Sequence, residues 1–347
     1  MSRKFYARLS QNLISLLSLF IFLMIAELLC RAFNSYKKFN TDFKFFIRNV
    51  DNNLVEVEYN IEDSLLMWKL KPNYNAGFIK INSAGFRDKE RIYSKDKDIF
   101  RILCLGDSST FGVGVPSSQT YSSFLENALN EKFSSSGRRF EVINGGVNGY
   151  ASAQGLGLYK YKGIRYHPDM VTFYFGINDP IKRFYQDDDK IMRVNVPVAI
   201  RNIENNYLLR ISSYRLFRKI VLTLHQNTNK VDRPNIPRVS LNSFKNNIIE
   251  LNNMCRINNT LLVLILPPLC IKKRPNWPRA KDIIPYIETL KEISREYSIP
   301  LIEINEMSYG SGAIAEGLFQ DIIHPNREGH KRIMEKLYDF ILVHKLF

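Results

Sequence analysis

Cysteine and histidine are scarce in this 347-residue chain, with four of the first and five of the second. Cys30, Cys104, Cys255 and Cys270 form no C-x-x-C pair, which removes zinc-knuckle and thioredoxin-type chemistry from consideration. Gly106-Asp107-Ser108-Ser109-Thr110 lacks the second glycine of a G-x-S-x-G elbow. No lysine follows Gly112 as a phosphate loop requires, and Gly145-Gly146-Val147-Asn148-Gly149 misses the dinucleotide spacing G-x-G-x-x-G.

Negative charge is in short supply: 34 acidic residues face 49 basic ones, a net charge of +15. The excess is local. Residues 1–50 carry +6 and residues 181–240 carry +7, which leaves +2 for the remaining 237. A nucleic-acid binder spreads basic charge over a folded face interleaved with aromatics. Here the charge flanks an apolar segment and fills one insertion, so nucleic acid is not an expected partner. The insertion instead suits an anionic surface or polymer.

Long hydrophobic runs are confined to one, Leu13–Cys30, eighteen residues interrupted only by Ser15, Ser18 and Glu27. As a helix it covers about 27 Å at ~1.5 Å per residue, enough to cross a bilayer. The A-x-A-like site of a cleaved signal peptide is missing, and Leu28-Leu29 are bulky where a lipoprotein cysteine needs small residues before it. A signal anchor over residues 13–30 is the expectation, preceded by a short basic segment, 1–12. Glu27 and Arg31 stand four apart and can pair at the membrane face. Basic residues on both flanks leave orientation undecided by the positive-inside rule.

Residues 31–98 are polar and irregular and read as a stalk followed by a small β-arm, Trp68 to Asp88. From residue 99 apolar runs alternate with helical patterns. Strands are expected at 100–105, 140–144, 169–176, 260–268 and 299–304. Helices are expected around 121–132, 153–163, 242–258 and the closing segment 326–346, with another whose first turn holds Pro285. Such alternation predicts a five-stranded parallel sheet with helices on both faces, chemistry gathering at the carboxyl ends of the strands. Residues 181–240 interrupt the pattern with Asp187-Asp188-Asp189, prolines and one helix near 211–225, and are either a lid or a surface excursion.

Ser108 follows the first strand. A serine hydroxyl becomes nucleophilic only with a base, and alone this one reads as a turn residue capping the next segment. Of the five histidines, His167 lies at the wrong end of the sheet, His225 in the insertion, and His330 and His344 in the last helix. His324 remains, with Asp321 one turn of chain earlier, the spacing that lets a carboxylate orient an imidazole. Oxyanion donors are available in "NGGVNGYAS" after the second strand and at Asn178 in "FGIND" after the third. Asp107 and Asp179 are expected to brace these loops.

With these four segments in order, the chain resembles the SGNH, or GDSL-like, hydrolases, and its single N-terminal span and "NSAGFRD" arm resemble those of membrane-anchored bacterial members. The resemblance implies a three-layer α/β/α flavodoxin-like fold and a serine esterase with Ser108, His324 and Asp321 as triad. It implies an oxyanion hole of Ser108 N–H, Gly149 N–H and the Asn178 amide, with no cofactor and no metal. Ser109 departs from the family name without touching the chemistry. The implied substrate is an acyl ester, including O-acetyl groups, on a glycan or lipid, and the catalytic domain, residues 99–347, is expected on the extracytoplasmic side. An O-acyltransferase modifying a cell-envelope glycan through the same residues and a non-catalytic binding module are the alternatives. The sequence sets no oligomeric state.

Overall fold

The computed structural model describes residues 3–32, 45–48, 54–57, 59–63, 65–183, 203, 207–227, 236–270, 280–304, 307 and 316–347. The acidic run Asp187–Asp189 and the stalk residues 33–44 lie outside them. The chain divides into two compact units. One comprises Met1–Lys44, Glu62–Leu65 and Asn195–Arg233, the other Phe45–Ile61, Leu66–Val194 and Pro234–Phe347.

The second unit is built on a five-stranded parallel sheet: β1 (Ile99–Gly106), β2 (Arg139–Gly146), β3 (Met170–Tyr174), β4 (Leu261–Ile265) and β5 (Leu301–Ile302). Their spatial order is β5-β4-β3-β1-β2, the flavodoxin-like order. All eight residues of β1 are buried, because helices cover both faces of the sheet. Successive side chains on a strand point to opposite faces. Ile102, Cys104, Met170, Tyr174, Val263 and Ile265 accordingly share one core cluster with Tyr121, Leu125 and Leu129 of the helix Tyr121–Lys132 and Ile333, Leu337 and Ile341 of the helix Arg327–Val343. On the other face Phe173 packs its ring against Phe244, which in turn meets Tyr286. These three layers realise the expected α/β/α sandwich.

Among the described residues the longer helices are α1 (Arg3–Ala32), α2 (Tyr121–Lys132), α3 (Ser152–Tyr161), α4 (Ser212–Asn227), α5 (Leu241–Ile257), α6 (Ala280–Tyr297) and α7 (Arg327–Val343). Polar N-caps set several starts: Thr120 accepts from Ser123 N–H, Ser240 from Ser243 N–H and Asn326 from Gly329 N–H. Several boundaries depart from expectation: the run 260–268 forms a strand only over Leu261–Ile265 and the run 169–176 only over Met170–Tyr174. The run 299–304 pairs only over Leu301–Ile302. It is an edge strand with one neighbour, and Pro300 before it carries no N–H. Pro285 lies in the second turn of α6 rather than the first, since that helix begins at Ala280.

The arm is present in the second unit as a strand, Met67–Leu70, and a hairpin pairing Asn75–Ala76 with Ile79–Lys80. The insertion leaves and re-enters this unit through Lys182–Arg183 paired antiparallel with Ile236–Pro237. In the first unit, residues Gln11–Ala32 of α1 are long and apolar enough to cross a membrane, with mean hydropathy 2.6.

Candidate active site

Strand β1 runs to Gly106 and the chain then turns sharply into a single helical turn, Ser108–Phe111. Asp107 caps that turn, its carboxylate accepting the Ser109 N–H at 2.8 Å. The turn can lie this close to the sheet because β2 ends in glycine. A Cβ on Gly146 would come within 2.1 Å of the Phe111 nitrogen. Ser108 is thereby presented at the carboxyl end of β1.

His324 reaches this serine from 216 residues away, its Nε2 standing 2.9 Å from Ser108 Oγ. Its Nδ1 lies 2.7 Å from Asp321 Oδ2. A carboxylate can only accept, so Nδ1 carries a proton, and in the neutral imidazole Nε2 then presents its lone pair to the serine hydroxyl. Asp321 Oδ1 meanwhile accepts the N–H groups of Ile323 and His324 at 2.9 and 2.8 Å. Burial alone would raise the Asp321 carboxyl, but these bonds and the imidazole hold it down at about 2.

Two side chains that the sequence reading left without a role join the serine and histidine loops. Ser109 Oγ donates to the Ile323 carbonyl at 3.1 Å. Gln320 Nε2 donates to the Val113 carbonyl at 2.6 Å and to the Pro325 carbonyl at 3.0 Å, while its backbone N–H donates to His324 O at 2.9 Å. Gly114 makes room for that amide. It has φ +78°, and a Cβ there would fall 1.7 Å from Gln320 Oε1.

The arm contributes a third support. Arg87 is buried behind the helical turn, and its Nη1 donates to the Phe111 and Gly112 carbonyls, both at 2.7 Å. Its Nη2 donates to the Val115 carbonyl at 2.7 Å, and the guanidinium lies over the Phe111 ring. One planar fork thus satisfies the carbonyls released where the turn ends.

The two remaining predicted residues lie on the neighbouring loops. Gly149 has φ +75°, and its carbonyl accepts from Arg238 Nη1 at 2.7 Å. Trp68 of the arm donates its indole N–H to the Asn148 carbonyl at 3.0 Å, and Tyr150 Oη donates to the Trp68 carbonyl at 2.6 Å. Asn178 Nδ2 donates to Asp107 Oδ2 at 3.2 Å and to the Tyr150 carbonyl at 3.0 Å. Both hydrogens of that amide are therefore already engaged. Asp179 accepts the Ser152 N–H at 2.9 Å and the Gly176 N–H at 3.1 Å, tying the second and third loops together. Asp107 is fully buried, and burial pushes its carboxyl up to about 6 against the opposing pull of the Ser109 N–H and His324. Among the described residues no group of three or more His, Cys, Asp or Glu is placed to hold a metal ion.

A serine, a histidine and a carboxylate thus stand in hydrogen-bonded series at the carboxyl edge of this three-layer fold. Residues 104–332 match the model of the GDSL-like lipase/acylhydrolase family, and the chain is a member of that family. Among curated proteins none matches it.

Several solved structures are similar to this chain. An α/β hydrolase from the metagenome of Lake Arreo is 17% identical with a TM-score of 0.44, covering 71% of this chain and 96% of its own. The lipase/acylhydrolase of Enterococcus faecalis is 17% identical with a TM-score of 0.43, covering 70% and 95%. An acetylxylan esterase from Geobacillus stearothermophilus is 16% identical with a TM-score of 0.43, covering 70% and 94%.

Proposed function

We propose that this protein is a membrane-anchored esterase that cleaves carboxylic esters, O-acetyl esters among them, through a Ser108–His324–Asp321 triad. The observation that carries the reading is the hydrogen-bonded series from Ser108 Oγ to His324 Nε2 at 2.9 Å and from His324 Nδ1 to Asp321 Oδ2 at 2.7 Å. His324 takes the hydroxyl proton as Ser108 attacks the acyl carbon, and the imidazolium so formed is stabilised by Asp321. The carbonyl oxygen becomes an oxyanion, to which the N–H groups of Ser108 and Gly149 donate. Asn178 exchanges one of its two present acceptors for that oxygen. His324 then returns the proton to the departing alcohol, leaving an acyl-serine that water hydrolyses by the same steps. Each lost oxyanion donor should cost about 2.7–4 kcal/mol of barrier.

The anchor is helix α1. Its residues Gln11–Ala32 expose Leu13, Phe20, Phe22 and other large apolar side chains, a surface that a bilayer covers and water does not. The catalytic residues act on the extracytoplasmic side in this reading, and a C-terminal reporter fusion tests that orientation. The catalytic reading is tested by turnover of p-nitrophenyl acetate by the full-length protein in detergent against its Ser108→Ala variant. Activity is expected to disappear in the variant; equal rates would overturn the triad.

A further inference from the structure

Helix α4 in the basic insertion is amphipathic and lies in the same compact unit as α1. Between Tyr207 and Asn227 the sequence has four basic residues, Arg210, Arg215, Arg218 and Lys219, and no acidic one. Phe217, Ile220 and Val221 follow the i, i+3, i+4 spacing of one helical face and are 63, 48 and 46% exposed. Such a face, apolar on one side and basic on the other, has the composition of a helix that lies flat in a membrane interface.

The connection to α1 fixes where that interface is. Glu27 lies inside the apolar span, where an unsatisfied carboxylate is costly. Its Oε1 accepts the Ser212 N–H at 3.0 Å and Arg31 Nε at 2.7 Å. Its Oε2 accepts the Ser213 N–H at 2.8 Å and Ser213 Oγ at 2.9 Å. The carboxylate thus caps α4 at its first two residues. Glu27 stands five residues before the end of α1, about 7.5 Å along the helix axis. That depth falls in the ~5–10 Å zone in which interfacial helices bury their apolar side.

We propose that α4 lies in the headgroup region of an anionic leaflet, with Phe217, Ile220 and Val221 in lipid and its N-terminus tied by Glu27 to the membrane span. The occupant of the exposed face is lipid because the helix that carries it is bonded at its N-terminus to an element of bilayer composition, and the leaflet is anionic because every charge on the helix is positive. The inference rests on reading α1 as a membrane span. Its consequence is that the insertion is held at the membrane surface at both Glu27 and the apolar face.

The test uses the full-length protein reconstituted in phosphatidylcholine–phosphatidylglycerol vesicles, with and without dibrominated phosphatidylcholine. Two reporters, Phe217→Trp on α4 and Phe22→Trp in the span, are read as differences from the parent, whose Trp68 and Trp277 set the baseline. Both added signals are expected to be quenched by brominated lipid and little affected by acrylamide. Quenching of the Phe22→Trp signal alone overturns the placement of α4 and leaves the span standing. Quenching of neither overturns both. A Phe217→Trp signal shielded from lipid and acrylamide alike means that protein covers the face, which also overturns the proposal. In vesicles of phosphatidylcholine only, the Phe217→Trp signal should lose most of its lipid quenching; an unchanged signal removes the anionic requirement. Adding Glu27→Gln should weaken the same quenching while Phe22→Trp is unaffected, and no change there overturns the role of Glu27.

Discussion

The hydroxyl of Ser109 donates to the carbonyl of Ile323 at 3.1 Å, so the residue after the proposed nucleophile holds the residue before the proposed base. The two loops are 214 residues apart in sequence. Their separation in space sets the distance between Ser108 Oγ and His324 Nε2, and proton transfer is sensitive to that distance. Ser109→Ala removes one hydrogen bond of about 1 kcal/mol. The expected result is a fall in kcat of roughly fivefold with KM little changed, measured on p-nitrophenyl acetate; an unchanged kcat would show that the bond positions nothing.

Arg87 satisfies three main-chain carbonyls of the serine loop from below. Truncation to alanine leaves those groups buried and unpaired, at about 1–3 kcal/mol each. Arg87→Ala should lower the urea midpoint strongly and reduce activity with it. Arg87→Lys should recover only part of the loss, because an ammonium cannot reproduce the planar fork. Full recovery by lysine would mean that charge alone is required.

Gly114 is constrained twice, by φ +78° and by the Gln320 amide. Gly114→Ala should therefore destabilise the protein by about 1–3 kcal/mol and lower kcat through His324, whose carbonyl accepts from the Gln320 N–H. Combining it with Gln320→Ala removes the clash but not the backbone strain. The double variant should thus be more stable than the sum of the two single effects; strict additivity of unfolding free energies would show that the two residues do not meet.

Asp321 and Asp107 should give stability slopes of opposite sign. Asp321 is held at about 2 against an ordinary 3.8, so its contribution is complete above pH 3.8 and is lost as pH falls through about 2. Asp321→Asn should flatten the acid limb in that window. Asp107 is raised from 3.8 to about 6 by burial. Between those values the folded protein holds a proton that the unfolded chain has lost, so stability falls as pH rises. Asp107→Asn should remove that slope. Comparison with the parent separates it from His330, which burial pushes down to about 3 and which acts in the opposite direction. Parallel curves for parent and variant across pH 3.8 to 6 would contradict the burial argument.

Much of the fold was legible because burial on both faces leaves a plain signature. Strand β1 is an unbroken apolar stretch but for Arg101, and α2 and α5 carry apolar residues at helical spacing. Boundaries failed where one local rule met a tertiary condition. The end of the 260–268 run and the shortness of β5 depend on which strand has a neighbour, and pairing partners are not written in either segment.

The candidate site divides along the same line. Residue types and chain order marked Ser108, Asn178, Asp321 and His324 as candidates, since a nucleophile, a donor, a base and its orienting carboxylate are each chemically restricted choices, and Gly149 was added by the family resemblance. The supports were not legible. Ser109 read as a departure that leaves the chemistry untouched, Gln320 carried no reading, and Arg87 and Trp68 stood only as residues of the arm.

What the sequence alone determined, then, is the alternation that makes the sheet, the apolar run of α1 and the set of groups able to do acyl chemistry. Tertiary structure decided which carbonyl Ser109 meets, that both Asn178 hydrogens are engaged at rest, and that Glu27 caps α4. Those are contacts between segments far apart in the chain. Polar side chains such as these can hydrogen-bond with many partners, and only the packed backbone selects one.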